Sequence, residues 1–202
     1  MRLEDFKNKY EYQSCVIAAT GPSIVSLNPR LRSGITIGVN KIARYFNPTY
    51  LVVIDRFRRG IDHPGREEEL GCNLVWDTVV ECVFTRWDNG YTSPTVMIEC
   101  SPINTIGPET IFRKGRIPTF NTATFAAIGL AMYMGFQNIG VIGFDVRGHG
   151  IERTIDQLEA ALLRLTDYAK KQGQNVWNLS DQSMLTSLEK CSQDDFIRWT
   201  DG

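Results

Sequence analysis

Histidine is nearly absent from this chain: His63 and His149 are the only two among 202 residues. Cysteine is sparse and scattered, at Cys15, Cys72, Cys82, Cys100 and Cys191, with no CxxC pair. Without thiols or imidazoles at ligand spacing, no structural zinc site is expected. The odd count and the scatter fit reduced thiols in the cytoplasm better than a disulfide framework. No apolar run approaches the ~18 residues of a membrane span. The charged opening Met1-Arg2-Leu3-Glu4-Asp5-Phe6-Lys7 lacks the apolar stretch of a secretory signal. A net charge of −1 supplies no overall basic field for nucleic acid. Trp76, Trp87, Trp177 and Trp199 show no stacking-platform spacing either. The P-loop pattern GxxxxGKS/T, the dinucleotide fingerprint GxGxxG and the hydrolase elbow GxSxG are all missing. There is no internal repeat and no low-complexity segment.

What is present is globular: 43% apolar and 22% charged residues, enough for one core without disulfides or metals. Short apolar runs ending in turn signals read as buried strands at 15–19, 35–40, 50–55 and 138–145, with a last one at 175–179. Residues 74–76, 79–84 and 95–99 are also strand-like. Residues 41–46 read as a helical turn or two, and 66–70 as a short exposed helix. Residues 122–134 are small and apolar on nearly every face, so they predict a buried helix stopped by Gly135. Ile151, Ile155, Leu158, Leu162 and Leu165 recur at helical spacing and mark a long amphipathic helix to about Lys171. A short helix closes the chain. The alternation predicts a single Rossmann-like α/β domain over 1–202, with a mainly parallel sheet covered by helices on both faces. Residues 86–118, rich in proline and glycine, read either as a lid or insertion or as an ordinary surface excursion.

Four candidate sites follow from placement. The first strand runs into Thr20-Gly21-Pro22-Ser23, which reads either as a plain turn or as one whose backbone N–H groups and hydroxyls suit a phosphate or ribose. Ligands of open α/β sheets sit outside the carboxyl ends of the strands. Asn40, Asp55 and Asp145 close three apolar runs at that edge, where each serves as a helix cap or as part of a site. His149, in Arg147-Gly148-His149-Gly150, follows the fourth core strand at the same edge, and its flanking glycines suit either a proton-transfer residue or a solvated loop. Arg56, Arg58 and Arg59 form a basic cluster after the third strand, either a solvated loop or a contact for an acidic substrate. His63 reads as an exposed turn residue. Asp55 and Asp145 are candidate Mg²⁺ ligands if they converge, though Asp-x-Asp is absent.

Ala19-Thr20-Gly21-Pro22-Ser23-Ile24 resembles the Gly-Asn-Gly-Pro-Ser-Leu opening of the bacterial sialyltransferases of glycosyltransferase family 42. It equally resembles the Gly-Pro-Ser opening of the motility-accessory-factor glycosyltransferases and of the archaeal hydroxymethylpterin pyrophosphokinases. Gly38-Val39-Asn40 resembles the next strand of the family. The stretch from Asn121-Thr122-Ala123 to Gly143-Phe144-Asp145 is similar to its small-residue helix and its strand ending in Gly-x-Asp. Gly148-His149 and the segment Trp177-Asn178-Leu179-Ser180-Asp181-Gln182-Ser183-Met184-Leu185 resemble its C-terminal half. The likeness covers roughly residues 14–55 and 119–197.

The resemblance implies a variant of the GT-A type of fold and a metal-independent, inverting transfer from a CMP-activated sugar. The acceptor would be a glycan or another hydroxyl compound, with no resident cofactor. His149 would be the general base, and Thr20, Gly21, Pro22, Ser23, Asn40, Asp55, Thr122 and Asp145 would line the donor. Thr20 departs from the family's Asn. The family's tyrosine pair after Asp145 is missing, leaving Arg147 to stabilise the leaving phosphate. The relatives also leave open a Mg²⁺-dependent pyrophosphokinase, or a nucleotide-binding module without activity. A homo-oligomer would complete an open pocket. The chain ends at Gly202 without the family's membrane-associating extension.

Overall fold

The computed structural model describes residues 1–55, 73–87, 90–104, 106–120, 122–146 and 154–200. Eight strands form one fully parallel sheet: β1 (Ser14–Ala18), β2 (Thr36–Val39), β3 (Tyr50–Val53), β4 (Cys82–Thr85), β5 (Thr95–Met97), β8 (Asn138–Ile142), β9 (Asn175–Asn178) and β10 (Glu189–Lys190). Their order is β10-β9-β8-β1-β2-β3-β4-β5. Two further strands, β6 (Cys100–Pro102) and β7 (Ile117–Thr119), pair separately and in parallel. The chain therefore lays strands outward from β1 in one direction, then returns to its other side with β8. The order reverses between β1 and β8, and that reversal is the topological switch point of the sheet.

Period-2 alternation explains why these segments are strands buried on both faces. Cys15, Ile17, Ile37, Val39, Tyr50, Val52, Phe84, Ile139 and Val141 face one core. Val16, Ala18, Leu51, Val53, Val83 and Ile142 face the other. The first core is filled by α4 (Ala123–Tyr133), every residue of which is buried. The Thr122 hydroxyl accepts from the Phe125 N–H at 3.0 Å to cap it, and Gly135 ends it at φ +88°. Helix α4 lies between the main sheet and the β6–β7 pair. A Cβ on Gly129 would stand 2.7 Å from Pro118 Cγ, so only glycine lets the helix approach β7 this closely. The amphipathic α5 (Ile155–Lys171) covers the same face with Leu158, Ala161, Leu162 and Leu165. On the other face, α1 (Pro29–Arg32) and α6 (Gln193–Thr200) contribute Leu31, Phe196 and Ile197.

The amino end of the sheet is fastened by the N-terminal segment. Phe6, Tyr10, Tyr50, Phe84 and Phe136 form an aromatic cluster, with Tyr10 stacked on Phe136 at 4.7 Å. The buried Tyr50 hydroxyl accepts from Lys9 at 2.9 Å, bonds Tyr10 and donates to Glu81 at 2.8 Å. Burial, with Tyr10 and Glu81 beside it, pushes this phenol far up from its ordinary range.

Several elements differ from the sequence reading. Residues 74–76, read as strand-like, lie in a helical turn, α2 (Asn73–Trp76). A short apolar run cannot distinguish a buried helix from a strand by periodicity. The two-residue β10 and a 3-10 turn at Leu3–Phe6 were not foreseen. Residues 86–118 contain β5 at the edge of the main sheet, β6, α3 (Pro108–Arg113) and the start of β7. Among the described residues no helix is long and apolar enough to cross a membrane.

Candidate functional site

The first turn and the end of β8 meet at the switch point. Ala19 N–H donates to the Ile142 carbonyl at 2.8 Å, and Gly21 N–H to the Gly143 carbonyl at 2.8 Å. Both glycines are dictated by this approach. A Cβ on Gly143, whose φ is +78°, would fall 2.2 Å from the Ala19 carbonyl oxygen. A Cβ on Gly21 would fall 2.4 Å from the Gly143 carbonyl oxygen and 2.7 Å from Asp145 Oδ2.

Beneath this junction lies a closed polar network. Ser23 N–H donates to Asp145 Oδ2 at 2.7 Å, and the Ser23 hydroxyl donates to Asp145 Oδ1 at 2.7 Å. The Ser180 hydroxyl lies 2.8 Å from Ser23 Oγ. Since Ser23 has spent its one hydrogen on Asp145, Ser180 is the donor of that pair. Gly143 N–H is shared between the two hydroxyls, at 3.0 Å and 3.1 Å. Asp145 is 1% exposed, Ser180 2% and Ser23 4%. Every oxygen of the network is matched, which is what burial of a carboxylate demands.

Two of the turn's amides are spent inside: Gly21 and Ser23 donate theirs to Gly143 and Asp145, and Ile24 donates its own to the Gly21 carbonyl. Pro22 has none to give. Of the first turn, Thr20 and Pro22 are exposed at the sheet edge, while Gly21 and Ser23 brace the junction from within. Thr122 caps α4 with its hydroxyl.

Two strands along, Asn40 ends β2 with a left-handed backbone, φ +50°, which asparagine tolerates better than most residues. Its Nδ2 donates to Asp55 Oδ2 at 2.8 Å, and Asp55 is exposed just beyond β3. The Asn40 carboxamide oxygen is buried without a hydrogen-bond partner. Asp55 and Asp145 are thus each engaged by a different neighbour. Among the described residues no group of three or more His, Cys, Asp or Glu side chains gathers to hold a metal. His149, Arg147, His63, Arg56, Arg58 and Arg59 lie outside the described residues. Val146, the last described residue before Arg147, is buried at φ +63°, a costly backbone for a β-branched side chain.

Ser180 and Gly143 were not singled out from sequence. Their signal was available only as a serine directly after the apolar run 175–179 and as the glycine of the Gly-x-Asp that closes the fourth core run. Cys15, Cys82, Cys100 and Cys191 are free thiols. Burial pushes Cys82 and Cys100 up to about 11, so both stay protonated and are poor nucleophiles at neutral pH.

The segment carrying Ser180 is fastened from two sides. The Ser183 hydroxyl donates to the Phe144 carbonyl at 3.0 Å. Glu159 of α5 accepts from the Thr186 and Ser187 N–H groups at 2.6 Å and 2.7 Å. Partial burial pushes the Glu159 carboxyl up, but the hydrogen bonds from Ser187 and Thr186 outweigh it and hold it below its ordinary value. A lowered folded-state pKa stabilises above the unfolded value, and that contribution is lost as pH falls through the folded one. Glu159→Gln is therefore expected to melt below wild type at neutral pH. The gap should close on acidification below about pH 4. A gap in melting temperature that persists unchanged into acid would show that Glu159 does not act through its charge.

No protein-family model matches this chain, and no curated protein matches it. Solved structures do. The sialyltransferase CstII from Campylobacter jejuni with the substrate analogue cytidine-5'-monophosphate superimposes with a TM-score of 0.54 at 13% identity, over 91% of this chain and 86% of that one. The likeness is one of fold. The same protein with CMP-3FNeuAc gives a TM-score of 0.51 at 12% identity, over 89% and 85% of the two chains. The apo α-2,3-sialyltransferase from Campylobacter jejuni gives 0.53 at 15% identity, over 92% and 84%. The mainly parallel sheet with helices on both faces is thus shared with these sialyltransferases along almost the whole chain.

Proposed function

We propose that this chain is a glycosyltransferase that moves a sugar from a CMP-type nucleotide donor to an acceptor hydroxyl, with inversion and without a metal ion. The observation that carries this reading is the fold likeness, over about nine-tenths of the chain, to a sialyltransferase solved with CMP. The switch point supports it, because the Gly21–Gly143 junction brings Thr20 to the carboxyl edge beside the row Asn40 and Asp55. The nucleotide would lie along that edge, with Thr20 and Thr122 toward its phosphate and sugar. The buried Asp145–Ser23–Ser180 network would hold the edge rigid instead of touching the donor. His149 would take the proton of the acceptor hydroxyl as that oxygen attacks the sugar carbon. The bond to the nucleotide phosphate breaks on the opposite side, and CMP leaves with the electron pair. Arg147 would offset the charge that develops on the leaving phosphate.

The test is thermal unfolding with CMP, CDP, UDP, GDP, ATP and CMP-sialic acid, each with Mg²⁺ and with EDTA. At about a hundredfold excess over Kd, a ligand of the folded state adds about 2.7 kcal/mol. For a chain of this length that raises Tm by about 5–10 °C. The expected pattern is a shift with CMP and CMP-sialic acid that EDTA does not remove. A shift only with ATP and Mg²⁺ would replace this reading with phosphoryl transfer, and no shift with any of them would end it.

A further inference from the structure

The carboxyl edge continues beyond Asp55 to the end of β4, where Arg86 and Trp87 follow Thr85. Trp87 has no part in the site as described so far. Its indole Nε1 donates to the Ile54 carbonyl at 3.1 Å. The Thr85 hydroxyl, fully buried, accepts from Trp87 N–H and meets the Trp87 carbonyl, each at 3.1 Å. Backbone and ring are thus both pinned, yet the side chain stays 38% exposed. The Arg86 guanidinium stands 5.7 Å from the ring centroid. Ile54 leads directly into Asp55, and Asp55 bonds Asn40. Trp87, Asp55 and Asn40 therefore form one connected row across the ends of β4, β3 and β2.

The chemistry of the row is one-sided. The Asn40 Nδ2 donates to Asp55 Oδ2 and holds that carboxylate in place, while the Asn40 oxygen itself is buried. Asp55 is exposed and accepts only. An exposed acceptor carboxylate thus stands beside a pinned aromatic side chain. Neighbouring strands lie about 4.8 Å apart, so the ends of β1 and β4 are separated by about 14 Å. That span seats a phosphate at the switch point, a ribose at β2 and a planar base at β3 to β4.

We propose that Trp87 is the platform on which the nucleobase stacks, and that Asp55 selects a base carrying an exocyclic amino group. This rests on the nucleotide-donor reading above. Stacking on an aromatic ring tolerates any base, and its loss weakens binding about tenfold to hundredfold. Selection comes from the Asp55 carboxylate: the 4-amino group of cytosine donates to it, whereas the 4-keto oxygen of uracil meets acceptor with acceptor.

Calorimetric titration of CMP and UMP into wild type, Trp87→Ala, Trp87→Phe and Asp55→Asn tests both halves. CMP should bind wild type at least about tenfold tighter than UMP. Trp87→Ala should weaken both nucleotides about tenfold to hundredfold. Trp87→Phe keeps a ring and should keep most of the affinity, while losing the tryptophan quenching that CMP causes in wild type. Asp55→Asn, an exposed change that leaves the fold intact, should narrow the CMP-over-UMP preference. If CMP binds wild type but Trp87→Ala and Trp87→Phe bind it equally well, with the quenching intact, the platform is wrong and the donor reading stands. If UMP equals CMP, the selection is wrong. If wild type binds no nucleotide, the donor reading fails and takes this inference with it.

Discussion

His149→Ala is expected to lower kcat by about 10²- to 10⁴-fold, the range that a positioned general base contributes, while leaving the Kd for CMP unchanged. The split is diagnostic. A base that touches only the acceptor proton acts in the transition state and not in donor binding, so kcat and kcat/KM should fall together. Arg147→Ala should cost about 10²- to 10³-fold in kcat if it supplies the electrostatic stabilisation. Full activity in His149→Ala with the CMP-sugar would remove it from the mechanism. A parallel loss of CMP affinity would make it a donor contact instead.

Gly143→Ala is expected to be the most damaging single substitution for the fold. Its new Cβ would meet backbone, 2.2 Å from the Ala19 carbonyl oxygen, at a φ of +78° that alanine rarely adopts. Backbone cannot swing aside as a side chain can. Relief requires parting the ends of β1 and β8, which breaks the Gly21–Gly143 bond and the Ser23–Asp145–Ser180 network together. The loss should exceed about 4 kcal/mol, in the range where buried strain and broken networks combine. That corresponds to a drop in Tm of about 10 °C or more. CMP binding should fall with it, because Thr20 sits on the displaced turn. A variant melting within about 2 °C of wild type would mean that the junction does not close as tightly as described.

The strands were legible because a parallel sheet buried on both faces turns each strand into an apolar run. Cys15 to Ala18, Tyr50 to Val53 and Ile139 to Ile142 show this directly. Helix α4 was legible for the same reason, since small and apolar residues on every face leave it nowhere to go but inside. Residues 74–76 were misread because three apolar residues carry no period. The exposed, two-residue β10 has no apolar pattern to find.

The class of fold, the positions of the main strands and the edge at which polar residues collect were all readable from the chain. These are local properties, written in the alternation of side chains and in the turn residues that end each run. That β8 lies against β1 is a tertiary outcome, because strand order depends on distant pairings such as Ser14 with Asn138 that no local pattern encodes. That pairing assigned the roles. Ser23 and Asp145, equal candidates with Thr20 and Asn40 as ligand contacts, became an internal brace once the two strand ends met, since a carboxylate that finds buried donors there is shielded from solvent. Trp87, without a pattern of its own in sequence, gained a place at the edge because β4 packs beside β3 and brings its indole to the Ile54 carbonyl.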